Sequence, residues 1–148
     1  MKVEDEQFTI RDARPADVAA LSRLAAQLGY AATPAEISQR FAEEREDSRH
    51  VLLVAESGGA VIAWMGLAEE HSFLHEPRVE IHGLVVDEAH RGAKIGAKLV
   101  ERAEQWARAR GCKTMLVRSN VIRNRAHRFY ERLGYTTVKS QRVFTKTL

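Results

Sequence analysis

The segment from Val79 to Gly111 leaves the chain few architectures to choose from. VEIHGLVV, residues 79–86, is rich in β-branched residues and bounded by Pro77 and by Asp87-Glu88, which suits a strand with at least one buried face. HRGAKIGAKL, residues 90–99, then puts two glycines and two lysines where that strand gives way to a helix. Ile95, Leu99, Ala103 and Trp106 recur at spacings of four, four and three, while Lys98, Glu101, Arg102, Glu104 and Arg108 take the opposite face. Gly111 follows as a stop, with Arg108 and Arg110 at the negative end of the helix dipole. A strand, a glycine turn and an amphipathic helix in this order point to an α/β construction.

The first backbone N–H groups of a helix have no intrahelical acceptor, and glycine lets a bulky anion come close to them. Arg91-Gly92-Ala93-Lys94-Ile95-Gly96 is therefore a candidate cradle for a phosphate or pyrophosphate, with Arg91 and Lys94 adding positive charge. The plainer alternative is that Gly92 shapes the turn, Gly96 allows close helix packing and the lysines are simply solvated. Neither common nucleotide motif is matched: Lys98 is followed by Leu99 where a Walker loop needs Ser or Thr, and a dinucleotide fingerprint needs three glycines after a first strand.

Around this unit the chain reads β α α β β β α β α β β. Phe8 to Arg14 is a weak strand, and Pro15-Ala16-Asp17 opens a helix faced by Val18, Leu21, Leu24, Ala25 and Leu28 and ended by Gly29. Thr33-Pro34-Ala35-Glu36 is a capping box that starts a second helix running to about Asp47. His50–Glu56 and Ala60–Ala68 form a hairpin about Ser57-Gly58-Gly59. Residues 69–77, with His71, Phe73, His75 and Glu76, read as a loop that fits an active-site rim as well as a plain surface. Lys113–Arg118 is a further strand, Arg123–Leu133 a helix stopped by Gly134, and Tyr135–Leu148 one or two closing strands. The expectation is an antiparallel meander followed by parallel pairing, in one domain over residues 1–148.

The 148 residues, 45% hydrophobic and 29% charged, suit one soluble domain. No apolar run approaches a membrane span, and MKVEDEQF is acidic where a signal peptide is basic and then apolar, so a cytoplasmic protein with no membrane partner is expected. A lone Cys112 excludes an intrachain disulfide, and six histidines without an HExxH pair give no reason to expect a metal. Charge is divided unevenly. Residues 1–88 carry 8 Lys/Arg against 17 Asp/Glu, a net of −9, and residues 89–148 carry 15 against 3, a net of +12. A basic half suits an anionic ligand and an acidic half a cationic one. Nucleic acid is not expected, because no helix-turn-helix, finger or aromatic-rich strand is present to read it.

Two segments carry a resemblance. Leu84-Val85-Val86 leading into Arg91-Gly92-Ala93-Lys94-Ile95-Gly96-Ala97 is similar to the pyrophosphate turn of the GNAT superfamily of acyl-CoA-dependent N-acyltransferases, and Ala126-His127-Arg128-Phe129-Tyr130-Glu131-Arg132-Leu133-Gly134-Tyr135 is similar to that superfamily's Phe-Tyr-Glu segment. Both stand in the expected order, and the element order agrees over nearly the whole chain. The resemblance implies a central mixed sheet of six to seven strands flanked by about four helices. It implies acetyl-CoA as cosubstrate, with its pyrophosphate on the turn and its pantetheine along the backbone of Leu84, Val85 and Val86. Lys94 stands where the pattern usually has its first glycine, so it must take a backbone conformation that a lysine tolerates. Arg123 stands where many relatives have an asparagine; Asn120 is a neighbouring candidate for the same polar contact.

Acetyl transfer from a thioester to an amine needs a neutral nucleophile, a stabilised oxyanion and a proton for the departing thiolate. The resemblance implies direct attack and gives Tyr130 as the acid for that thiolate; the alternative is an aromatic packed beside Phe129. Glu80 and His82, two apart on one strand, point to the same face, and either is a candidate base. Their plainer roles are an ion pair of Glu80 with an arginine such as Arg78 and a satisfied core position for His82. His127 reads as structural. Tyr30, between the first two helices, falls where relatives line the acceptor pocket and is a candidate substrate contact beside Glu80. The chain is most similar to bacterial acetyltransferases of small-molecule amines, among which homodimers are common. Alternatives are a protein lysine or N-terminal amine as acceptor, or a module that binds acetyl-CoA without turnover.

Overall fold

β1 (Thr9–Asp12), β2 (His50–Ser57), β3 (Ala60–Ser72), β4 (His75–Val86) and β5 (Met115–Val117) form one mixed sheet in chain order. β1 to β4 make an antiparallel meander, and β5 joins β4 in parallel. Residues 7–92 and 94–148 are described in this computed structural model; Ala93, one of the residues expected in the anion turn, lies outside them. The chain divides into two compact units, one ending at Val117 and one comprising Arg118–Leu148.

In the first unit, α1 (Val18–Gln27) follows a short 3-10 turn over Pro15–Asp17, and α2 (Pro34–Arg45) begins at the expected cap. The Thr33 hydroxyl accepts the Glu36 N–H at 3.2 Å, and Pro34 occupies the first helical position, where no amide is missed. Strand alternation sends Leu52, Val54 and Trp64 to the face packed by Leu21, Leu24 and Phe41 of these helices. The opposite parity, Leu53, Ala55, Met65 and Leu67, is buried as well, and α3 (Ile95–Ala109) packs on β4, β3 and β2 through buried Ile95, Leu99, Ala103 and Ala107. A sheet buried on both faces explains why its central strands are nearly continuous apolar runs. Each fully buried side chain, such as Leu24, Met65 or Leu99, contributes about 1.5–3 kcal/mol.

Two expectations are corrected. Residues 69–77 are not a loop: β3 runs on to Ser72 and β4 starts at His75, so the segment is the far end of a hairpin. Its polar residues pair across the strands, Arg78 Nη2 with Glu70 Oε1 at 3.0 Å and His75 Nε2 with the same oxygen at 3.4 Å, while Phe73 and Leu74 are exposed at the tip. Paired charge does in that arm what apolar alternation does elsewhere. The second correction is the strand count. Five strands are present, against the six to seven expected, because Tyr135–Leu148 takes no strand conformation among the described residues.

In the second unit, α4 (Asn124–Arg132) ends at Gly134, whose φ of +92° is open to glycine at no steric cost.

Candidate functional site

β4 carries an irregularity at its centre. Gly66 of β3 pairs with Gly83 and Leu67 pairs with Ile81, so His82 is an extra residue, a bulge that reverses the strand's phase. Before the bulge the Val79 N–H donates to Thr114 O at 3.1 Å, toward β5; after it the Asp87 N–H donates to Ile62 O at 2.8 Å, toward β3. Counting back from Asp87 by twos, the Val85 N–H also faces β3, and the amides of Leu84 and Val86 face the other way. Among the described residues of this unit, β4 and β5 pair over Val79–Ile81 opposite Met115–Val117. Leu84 and Val86 thus present main-chain donors beyond the end of that pairing, while the side chain of Val85 sits in the core.

β4 then delivers the chain to the glycine turn. Asp87 caps a 3-10 turn over Glu88–His90, and its carboxylate is tied to α1 by Arg23 Nη1 at 3.3 Å and Gln27 Nε2 at 3.4 Å. Burial opposes ionisation of Asp87, but hydrogen bonds from the Ala89 amide, Gln27 and Arg23 outweigh it and hold the carboxyl below its ordinary range. Arg91 is extended and exposed, Gly92 has φ +94°, and Lys94 caps α3 in the left-handed region at φ 62°, ψ 16°. The Lys98 N–H donates to Lys94 O at 3.0 Å as the helix begins, so the amides of Ile95, Gly96 and Ala97 have no intrahelical acceptor. Ile95 divides its duties: its side chain is fully buried in the core and its amide belongs to the helix start. The result is a positive helix terminus directly downstream of the outward amides of β4.

Glu80 and His82 share a face, as their spacing predicts. His82 Nε2 lies 3.5 Å from Glu80 Oε2, with the Glu80 side chain 12% exposed and that of His82 45%. Arg78 pairs with Glu70, which leaves the Glu80 carboxylate facing a histidine instead of that arginine. Tyr30 follows Gly29 at the end of α1 and is 67% exposed.

The second unit holds the remaining sequence candidates. The Asn120 carbonyl accepts from the Arg123 N–H at 3.0 Å and from His127 Nε2 at 2.9 Å, and its side-chain oxygen accepts the Ile122 N–H at 3.2 Å. Asn120 and His127 therefore build the entrance to α4, with Arg123 at its N-cap. Tyr130 packs edge-on against Phe129 and Tyr135, at ring centroid separations of 5.0 and 5.7 Å. Desolvation pushes its hydroxyl up to about 12, so it remains a protonated donor at neutral pH.

Sequence reasoning missed the part of Asp87, although Asp before a short run and a glycine turn is a capping signal. A groove of about 850 Å³ lies elsewhere, between Phe8 and Ile10, the Gly58-Gly59 turn and Lys98 and Arg102 on α3, and none of the candidate residues lines it. Among the described residues no helix is long and apolar enough to cross a membrane, and no group of three His, Cys, Asp or Glu side chains could hold a metal ion.

A family model described as acetyltransferase (GNAT) family matches residues 18–135. Aminoalkylphosphonate N-acetyltransferase of Salmonella typhimurium is 38% identical over 61% of this chain, which spans 58% of that enzyme's length. Glucosamine-6-phosphate N-acetyltransferase from Arabidopsis thaliana superposes with a TM-score of 0.82 at 28% identity, over 95% of this chain and 99% of that one. The aminoglycoside 6′-N-acetyltransferase AAC(6′)-Ih from Acinetobacter baumannii superposes with a TM-score of 0.85 at 16% identity, over 96% and 99% of the two chains, a likeness of fold.

Proposed function

Since the chain belongs to the acetyltransferase (GNAT) family, we propose that it transfers an acetyl group from acetyl-CoA to the primary amine of a small molecule by direct attack. The observation that carries the reading is the succession along β4: outward amides at Leu84 and Val86, then a glycine turn, then the start of α3. Outward amides beyond the end of the β4–β5 pairing suit the amide groups of pantetheine and the thioester carbonyl. The turn, with Arg91, Gly92, Lys94 and the amides of Ile95, Gly96 and Ala97, suits the pyrophosphate.

On this reading Glu80 takes the ammonium proton, directly or through water, with His82 beside it to share the charge. The neutral amine attacks the thioester carbon, the tetrahedral oxyanion is held by β4 amides, and collapse expels the coenzyme thiolate. Tyr130 is assigned as donor to that thiolate. With its pKa near 12, above that of an ordinary thiol, it stabilises the thiolate chiefly through its hydrogen bond. Tyr30 is a candidate wall for the acceptor. Names of relatives suggest amines that also carry a phosphonate or phosphate, or an aminoglycoside.

The test begins with calorimetric titration of the full chain with acetyl-CoA, against desulfo-coenzyme A and ATP. Micromolar binding that prefers acetyl-CoA supports the cofactor assignment, and absence of binding overturns it. Thiol release is then followed with 2-aminoethylphosphonate, glucosamine 6-phosphate and kanamycin. Glu80→Gln should lower kcat/KM by about 10²–10⁴-fold with unchanged acetyl-CoA affinity, and a full rate would remove Glu80 as base.

A further inference from the structure

His50, at the first position of β2, stands beside the candidate base from two strands away. Its register partner on β3 is Ala68, whose partner on β4 is Glu80, so the three side chains share one face of the sheet, the face that Leu52 and Trp64 present to α1 and α2. Strands two apart lie about 9–10 Å from each other, yet the His50 and His82 ring centroids are 6.1 Å apart, with the ring planes inclined at 63°. That separation is within the range of an edge-to-face pair. Small residues on the intervening strand let the rings meet. β3 offers Ala68 and Gly66 there, and a β-carbon placed on Gly66 would already stand 3.9 Å from that of His82, so a longer side chain at position 66 would compete for the space beside the bulged imidazole. The nitrogens of His50 are turned elsewhere. Nδ1 is 3.9 Å from Glu44 Oε1 and Nε2 is 3.6 Å from Asp47 Oδ2, at the end of α2 and just beyond it, and the His50 N–H donates to Asp47 O at 3.0 Å. His50 is thus faced from behind by two carboxylates and anchored by its own backbone, and it meets His82 as an aromatic surface.

His82 needs such a neighbour. Its side chain is half-exposed and sits on a bulge, and its Nε2 faces Glu80 Oε2 at 3.5 Å. An imidazole so exposed turns about two side-chain torsions unless something fixes its plane. His50, whose own side chain is the better covered of the two, is placed to do so from across β3. We propose that His50 is a positioning residue: its ring, packed edge to face against His82, holds that imidazole in the orientation that puts Nε2 beside the Glu80 carboxylate. The proposal rests on the assignment of Glu80 as base, with His82 beside it to share the charge. No bond forms or breaks at His50, and no proton passes through it. It acts by limiting where His82 can point, and a reacting group loses rate steeply when its geometry loosens. Acetyl-CoA binding, which the same reading puts on the glycine turn and the later part of β4, should not feel the change.

Two replacements in the full chain separate the ring from its nitrogens. His50→Phe keeps an aromatic ring and drops the polar tie to Glu44 and Asp47, whereas His50→Gln keeps a polar group and drops the ring. Both remove the same titrating group, so a difference between them reports the ring. The first measurement needs no acceptor. In long-range ¹H–¹⁵N spectra of the imidazoles, Glu80→Gln should displace the His82 titration fully in the wild-type and His50→Phe chains and less in His50→Gln; equal displacement in all three would overturn the proposal. The second uses acetyl-CoA with 2-aminoethylphosphonate. His50→Gln should lower kcat about three- to tenfold at unchanged acetyl-CoA affinity, and His50→Phe should recover most of that loss. Equal losses in the two variants, or a larger loss in His50→Phe, would mean that the ring is not what matters and would overturn the proposal as well. If Glu80→Gln abolishes turnover while His50→Gln leaves kcat unaltered, the positioning role fails and the base assignment stands. If Glu80→Gln retains full rate, the base assignment fails and takes the catalytic meaning of the ring contact with it.

Discussion

A β-carbon placed on Gly83 would stand 2.8 Å from Cζ3 of Trp64, so the indole occupies the space in which any side chain at position 83 would have to fit. The residue sits immediately after the bulge and before Leu84. Gly83→Ala should therefore cost about 1–3 kcal/mol by overpacking, measured by urea unfolding. The Trp64 Nε1 has no hydrogen-bond partner among the described residues, so Trp64→Phe in the same chain removes bulk at little polar cost. The double variant should recover part of the loss, and strict additivity would mean the two residues do not collide.

Lys94 at φ 62° is a non-glycine residue in left-handed backbone, a conformation that costs an L-residue about 1–2 kcal/mol. Lys94→Gly should raise stability by about 0.5–1 kcal/mol, after the added freedom of the unfolded chain is counted. If the ammonium also serves the pyrophosphate, the same change weakens acetyl-CoA binding several-fold. Stability and affinity move in opposite directions, which thermal melts with and without acetyl-CoA would separate.

Tyr130 offers a pH test. Its hydroxyl ionises near 12 in the folded chain and near its ordinary value of 10 in the unfolded one. The native state thus keeps a proton that the unfolded state gives up, and stability should fall as pH rises from about 10 to 12. Tyr130→Phe should flatten that decline. It should also lower kcat with little effect on acetyl-CoA affinity, and an equal kcat would end its assignment as donor.

Asp17 is a buried carboxylate of the first unit held from two sides. It takes Arg11 Nη1 at 2.8 Å and Nη2 at 3.0 Å, and the Arg14 N–H at 2.7 Å, while Arg11 Nε also reaches Glu56 at 2.6 Å. The Arg11 bonds, opposed by burial and joined by the Arg14 amide, hold its carboxyl below the ordinary range. A depressed carboxylate stabilises the fold above its unfolded pKa, and that stability is lost as pH falls through the folded value. Asp17→Asn should cost about 2–4 kcal/mol at pH 7, with the difference from wild type narrowing in strong acid.

What could be foreseen was what the chain decides locally. The Thr33–Glu36 cap, the stripe of Ile95, Leu99 and Ala103, and the stops at Gly29, Gly111 and Gly134 each follow from a few adjacent residues. That Glu80 and His82 share a face followed from strand period alone, although the bulge that seats His82 and their approach to each other did not. A bulge is a disagreement between two strands, and neither strand records it by itself. The same holds for the direction of the Leu84 and Val86 amides. The hairpin arm beyond Ala68 was misread because Glu70, His75 and Arg78 look like loop residues until each has found its partner.

The short partnership of β4 with β5 has a mechanical meaning. Among the described residues of the first unit, β4 pairs with β5 over three residues and then runs on, so the Leu84 and Val86 amides lie beyond that pairing. A ligand with amides of its own can take the place of the missing length of strand, and the protein is then closer to a finished sheet than before. Binding and folding are in that sense the same act performed on one edge. The protection of the Leu84 and Val86 amides from hydrogen exchange should therefore report cofactor occupancy more directly than any side chain does.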